Sequence, residues 1–120
     1  HRRDHCDPLP QATMTPEGRL TKQITDWLKL QPATWHTKVH GSAYQGRGCP
    51  DVIAGHFGIL CGIEVKRSDG KGKTAAIQAH NVKRINEAGG VAAVVTSLAD
   101  VRHLLHTARL KADERYDHGE

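Results

Sequence analysis

Two spacings of apolar residues alternate along this chain. Leu20, Ile24, Trp27 and Leu28 recur at helical intervals, with Thr15 placed to cap the helix and Pro16 at its first turn. Pro32 disfavours helix in the residue before it, so this helix is expected to end near Leu30. Trp35, Thr37 and Val39 then alternate through TWHTKVH and predict a strand, and the glycine-rich GSAYQGRG at 41–48 predicts a loop. DVIAG and ILCGIEVK read as two further strands joined by a tight turn around His56, Phe57 and Gly58. A second loop, RSDGKGK, leads to a helix from about Thr74 to Ala88, stopped by Gly89 and Gly90. VAAVVT reads as a buried strand, and Ser97 with Asp100 opens a last helix carrying Val101, Leu104, Leu105 and Ala108. The order αβββαβα is buried most economically as an α/β fold, one mixed central sheet flanked by helices.

The ends fall outside this pattern. Residues 1–13, HRRDHCDPLPQAT, hold two prolines and no apolar period, and are expected to form a flexible arm. The sole methionine, Met14, marks an expected natural start, the preceding segment being either an added or read-through stretch or a native basic arm. Residues 14–110 make the expected domain, and residues 111–120 a polar tail that frays.

Composition excludes more than it identifies. At 120 residues the chain has room for one compact domain, and 38% hydrophobic with 25% charged residues keeps it clear of the disordered class. Its apolar runs are too short to cross a bilayer, so no membrane partner and a cytoplasmic location are expected. Cys6, Cys49 and Cys61 are odd in number and widely spaced, which suits reduced thiols. A formal charge of +4 suits a polyanionic partner without naming one.

The candidate chemistry lies in CPDVIAGHFGILCGIEVKRSD, residues 49–69. Strand alternation puts Ile59, Cys61, Ile63 and Val65 on one face and Leu60, Gly62, Glu64 and Lys66 on the other. With a turn near Phe57, facing residues have numbers summing to about 114 or 115, which brings Asp51 beside Glu64. Two adjacent carboxylates repel unless a cation lies between them, and such oxygen sites suit Mg²⁺ or Mn²⁺. Lys66 could then polarise the attacking water, act as its base, or stabilise a pentacovalent phosphate. Taken singly, an Asp after Pro is common at turns and Glu-x-Lys is often an exposed ion pair. Phosphodiester hydrolysis is the reaction the combination implies.

PD at 50–51 and EVK at 64–66 resemble the signature of the PD-(D/E)XK nuclease superfamily, whose core has the same αβββαβ order. TPEGRLTKQITDWLK, GRGCPD, IEVKRSDGKGKTAAIQ and NEAGGVAAVV resemble its virus-type replication-repair (VRR-Nuc) branch, over about Met14 to Leu105. That resemblance implies Asp51, Glu64 and the Val65 carbonyl as metal ligands, Lys66 as the catalytic lysine, Glu17 as a helix acid reaching the metal directly or through water, and Gln78 as the amide that orients the lysine or contacts phosphate. It also implies a homodimer acting on branched or double-stranded DNA in the manner of a Holliday-junction resolvase, in a bacterial or phage-infected cell. Cys49 and Gly62 differ from what other members can carry, with effects expected on packing rather than chemistry. A flap or nicking nuclease of the same fold, and a non-catalytic DNA-binding module, are the alternatives.

Arg47, Arg67, Lys71 and Lys73 flank the site in glycine-rich loops and are candidate DNA contacts, Arg47 foremost. Tyr44 is a candidate for base stacking, although aromatics are scarce. His36 and His40 would lie about 13 Å apart on one strand face, too far to share a metal. His103 and His106 share a helix face and lack a second ligand pair.

Overall fold

The structure is a computed structural model and describes residues 14–39, 48–66 and 76–117. Seven elements follow one another: α1 (Pro16–Leu28), β1 (Thr34–Lys38), β2 (Val52–His56), β3 (Ile59–Val65), α2 (Ala76–Glu87), β4 (Val91–Val95) and α3 (Leu98–Asp117). The predicted order αβββαβα is borne out. The strands form one mixed sheet in the order β1-β2-β3-β4, antiparallel through the first three and parallel between β3 and β4.

Local chemistry sets the boundaries. Thr15 caps α1 as expected, its Oγ1 accepting from the Gly18 N–H at 3.0 Å. The β2–β3 hairpin closes on two residues, Phe57 and Gly58, with φ of +50° and +81°. Positive φ at both turn positions matches the right-handed twist of the flanking strands. Phenylalanine rarely adopts this conformation; here its ring packs edge-on against His56 and lies under the Arg109 guanidinium, 3.8 Å from the ring centre. This turn fixes the register at Val52↔Ile63, so the sum is 115. Gly89, at φ +96°, ends the stretch after α2, and the Asn86 side chain clamps the chain where it enters β4, donating to Ala92 O and accepting from Ala92 N.

The core lies where α1 and α3 cover the sheet. Ile24 and Leu28 of α1 and Val101, Leu104, Leu105 and Ala108 of α3 pack with Val52, Ala54, Ile59, Cys61, Ile63, Val65 and Val95. On the other face α2 packs on β3 and β4 and buries no residue fully. Its approach depends on Gly62, where an added Cβ would stand 2.9 Å from Ile85 Cδ1 and 3.1 Å from Pro50 Cγ. Strand alternation assigned Gly62 and Glu64 to the face opposite the main core; both are nevertheless buried, because α2 lies over them.

One sequence expectation changes at the chain's end. The last helix continues through Asp117, so residues 111–117 are helical rather than a frayed tail, supported by the Arg109–Asp113 pair at 3.1 Å. Its start carries the expected Ser97–Asp100 cap: Ser97 Oγ accepts from the Asp100 N–H at 3.2 Å, and the Asp100 carboxyl also accepts from the Thr96 N–H at 2.9 Å. The bond from Thr96 holds the Asp100 carboxyl below the ordinary aspartate range.

Candidate active site

The site forms where three elements end together. Asp51 immediately precedes β2, Glu64 and Lys66 lie at the end of β3, and Gln78 comes from the first turn of α2. The hairpin register extended by one step places Asp51 across from Glu64. Asp51 then does not continue the backbone ladder toward β3. Its Oδ2 accepts from the Val65 N–H at 2.8 Å, while its own carbonyl accepts from Val39 N at 2.8 Å toward β1.

Glu64 is 1% exposed, an unusual position for a glutamate. Its Oε2 accepts from Gln78 Nε2 at 2.8 Å and lies 3.1 Å from Lys66 Nζ. Gln78 Oε1 is 3.4 Å from the same Nζ, so one amide touches both the acid and the base. Glu64 Oε1, by contrast, is buried and has no donor among the described residues. Burial pushes the Glu64 carboxyl above the ordinary glutamate range; Lys66 opposes this rise, and the neighbouring Asp51 carboxyl adds to it.

This arrangement fits a hard divalent cation. A buried carboxylate oxygen with no donor, next to a second carboxylate whose Oδ2 is already held by backbone, leaves two oxygens for an ion that prefers oxygen ligands. Only a charged or protonic partner can satisfy Glu64 Oε1. Among the described residues no three His, Cys, Asp or Glu side chains converge as a ready-made metal cluster. Further ligands would therefore be backbone carbonyls, water or substrate, as is usual for Mg²⁺.

The remaining sequence candidates distribute as follows. Glu17 sits in the first turn of α1, and no described contact brings its carboxyl to Asp51 or Glu64. The helix nevertheless begins at the active end of the sheet, since Pro16, Arg19 and Leu20 line a groove with Thr96, Ser97 and Leu98, just beyond β4. The Lys66 N–H donates to Val95 O at 2.9 Å and ties that strand end to the site. Val65 is buried, and its N–H rather than its carbonyl has an identified role here. Arg47, Arg67, Lys71, Lys73, Tyr44 and His40 lie outside the described residues. His36, His103 and His106 join no described metal group.

A solved structure shares this arrangement of elements, with a TM-score of 0.60 over 80% of this chain and 89% of its own, at 17% sequence identity. It is described as a VRR_NUC domain protein. The resemblance expected from the motifs thus holds at the level of fold. No protein-family model matches the chain, and no curated protein matches it by sequence. In this VRR_NUC-type fold the hairpin and the covering helix deliver Asp51, Glu64, Lys66 and Gln78 to one sheet end.

Sequence reasoning missed the burial of Glu64 and the role of Gly62 in allowing it. Gly48 had a similar signal: at φ +76°, a Cβ there would stand 2.9 Å from Asn81 Nδ2 and 3.0 Å from the Ile77 backbone. Both glycines let neighbouring backbone and α2 close over the acids.

Proposed function

We propose that this chain is a metal-dependent endonuclease that hydrolyses phosphodiester bonds in DNA. The observation that carries the reading is the buried, donorless Glu64 Oε1 beside Asp51, with Lys66 and Gln78 on the other oxygen. A protein that only binds phosphate gains nothing from clustered carboxylates, which repel it. The likeness to a VRR_NUC domain structure supports the same class.

In this reading Asp51, Glu64 and the Val65 carbonyl would hold Mg²⁺ or Mn²⁺, with Glu17 reaching the ion directly or through water. The ion, when bound, supplies Lewis-acid activation of water and neutralises charge on the phosphoryl group. The chain's own residues set the geometry. The Val65 N–H fixes one Asp51 oxygen and aims the other toward Glu64. Gln78 holds Glu64 Oε2 and receives Lys66 Nζ, so the lysine is oriented before substrate arrives. A water oxygen attacks phosphorus and gives up one proton to bulk water, one P–O ester bond breaks with its leaving oxygen taking a proton back from water, and the Lys66 ammonium donates a hydrogen bond to a phosphoryl oxygen as negative charge gathers there. Burial of Glu64 strengthens these interactions by excluding solvent.

The preferred substrate in this proposal is branched DNA, cut by a homodimer whose two sites act on opposed strands. A panel of four-way junction, flap, splayed-arm and duplex DNA, cut in Mg²⁺ or Mn²⁺ with oligomeric state measured in parallel, tests it. Paired symmetric nicks across the junction by a dimer support the resolvase form; cuts confined to one flap strand assign a flap nuclease instead. Binding without cleavage of any member would leave only the non-catalytic module.

A further inference from the structure

Past the end of β4, on the α1 side of the sheet, lies a groove of about 800 Å³ lined by Arg19, Lys22, Gln23, Asp26, Thr96 and Ser97 among others. Its residues come from two elements far apart in sequence, the exposed face of α1 and the turn from β4 into α3. We infer that this groove carries the DNA sugar–phosphate backbone next to the scissile phosphate, with Arg19 and Lys22 as its phosphate contacts. The inference rests on the nuclease reading above and extends it to a second surface.

Position is the first argument. Thr96 follows Val95 directly, and the Val95 carbonyl is hydrogen-bonded to the backbone N–H of Lys66. Adjacent strands stand about 4.8 Å apart, so the groove opens within a nucleotide or two of the proposed cleavage point.

The second argument is the chemistry of the lining. Arg19 donates one N–H to Met14 O at 2.9 Å, and its other guanidinium groups have no partner among the described residues. Lys22 is paired with Asp26 at 2.7 Å, but both side chains are exposed, at 36% and 52%. An exposed pair of this kind is weak, and a phosphate can replace Asp26 as the lysine's partner. The Ser97 hydroxyl accepts from the Asp100 N–H and is also turned to the Asp100 carboxyl, so it lines the groove without supplying a free proton. Gln23 adds an exposed amide. Two cations with a neutral amide between them suit a polyanionic backbone whose sequence is not read. Thr96 bonds Asp100 through both its N–H and its hydroxyl, so it serves as the fixed floor.

The test is a salt titration of duplex DNA binding by fluorescence anisotropy, in EDTA so that no cleavage occurs. Losing two phosphate contacts is expected to make the slope of log K against log salt shallower by about 1.8, and to weaken binding roughly tenfold at moderate salt. The Arg19→Ala/Lys22→Ala variant should show both changes. Arg19→Lys/Lys22→Arg should restore the wild-type slope, which separates lost charge from a damaged helix. Arg109→Ala/Arg115→Ala serves as the control, because these side chains contact Phe57 and Gly89 at the far end of the sheet, and it should leave the slope unchanged. An unchanged slope in the first variant, with wild-type DNA binding intact, overturns the groove and leaves the nuclease reading standing. Absence of any DNA binding by the wild type overturns both.

Discussion

Glu64→Gln is expected to stabilise the metal-free protein while removing its function. The glutamate is 1% exposed, and its Oε1 has no donor among the described residues, so burial of that charged oxygen costs the fold roughly 1–3 kcal/mol. The substituted amide keeps an oxygen for Gln78 Nε2 and Lys66 Nζ and turns the orphan acceptor into a donor facing Asp51. Weakening the ion pair with Lys66, whose side chain is 15% exposed, offsets up to about 1 kcal/mol. The net gain of about 1 kcal/mol corresponds to a Tm increase of roughly 3–5 °C for a domain of this size. The effect also has a definite pH dependence. Because burial raises the folded pKa of Glu64, its contribution is fully present below the unfolded value and is lost as pH rises through the folded one. The advantage of Glu64→Gln should therefore be near zero at pH 4 and largest near pH 8. Thermal unfolding by circular dichroism in EDTA, across that range, measures it. A variant less stable than wild type at pH 8, or a difference that shrinks as pH rises, would refute the reasoning.

Other consequences follow from the packing around the site. Gly62→Ala should lower Tm by roughly 4–10 °C, since its Cβ would overlap Ile85, Pro50 and Ala92 at 2.9–3.2 Å and push α2 off the acids; calorimetry measures this. Asn86→Ala removes both bonds that clamp Ala92 and should cost about 1–3 kcal/mol in urea unfolding, with an unchanged m-value. Burial pushes the Cys61 thiol up to about 11, so alkylation at pH 8, read by mass spectrometry of its peptide, should require denaturant, while the half-buried Cys49 reacts in the native state.

The parts of this fold set by local rules could be read from sequence. A two-residue turn at Phe57–Gly58 fixed the register, and the register alone brought Asp51 opposite Glu64. Strand alternation put Glu64 and Lys66 on one face, and their 3.1 Å contact follows from that spacing. What could not be read depended on tertiary contact. The helix α2 has no fully buried residue, so nothing in its pattern said that it would close over Glu64. The glycines at positions 48 and 62 carry that information, since a Cβ at either would meet α2, but a glycine in sequence does not say what approaches it. The extension of α3 to Asp117 rests on side-chain pairs along a solvated helix, which an apolar pattern does not record. Glu17 was assigned by motif; its helix reaches the right end of the sheet, but no contact joins it to the acids.

The central claim is that Asp51 and Glu64 hold the ion with which Lys66 cleaves DNA. It is tested most directly by measuring bound Mn²⁺ and cleavage rate together across a Mn²⁺ titration, for wild type, Asp51→Asn and Lys66→Ala. The account predicts that wild-type cleavage follows occupancy of a site that Asp51→Asn weakens at least tenfold, and that Lys66→Ala keeps the ion but cuts no DNA. Cleavage by Lys66→Ala at the wild-type rate, or equal Mn²⁺ affinity in wild type and Asp51→Asn, would contradict it.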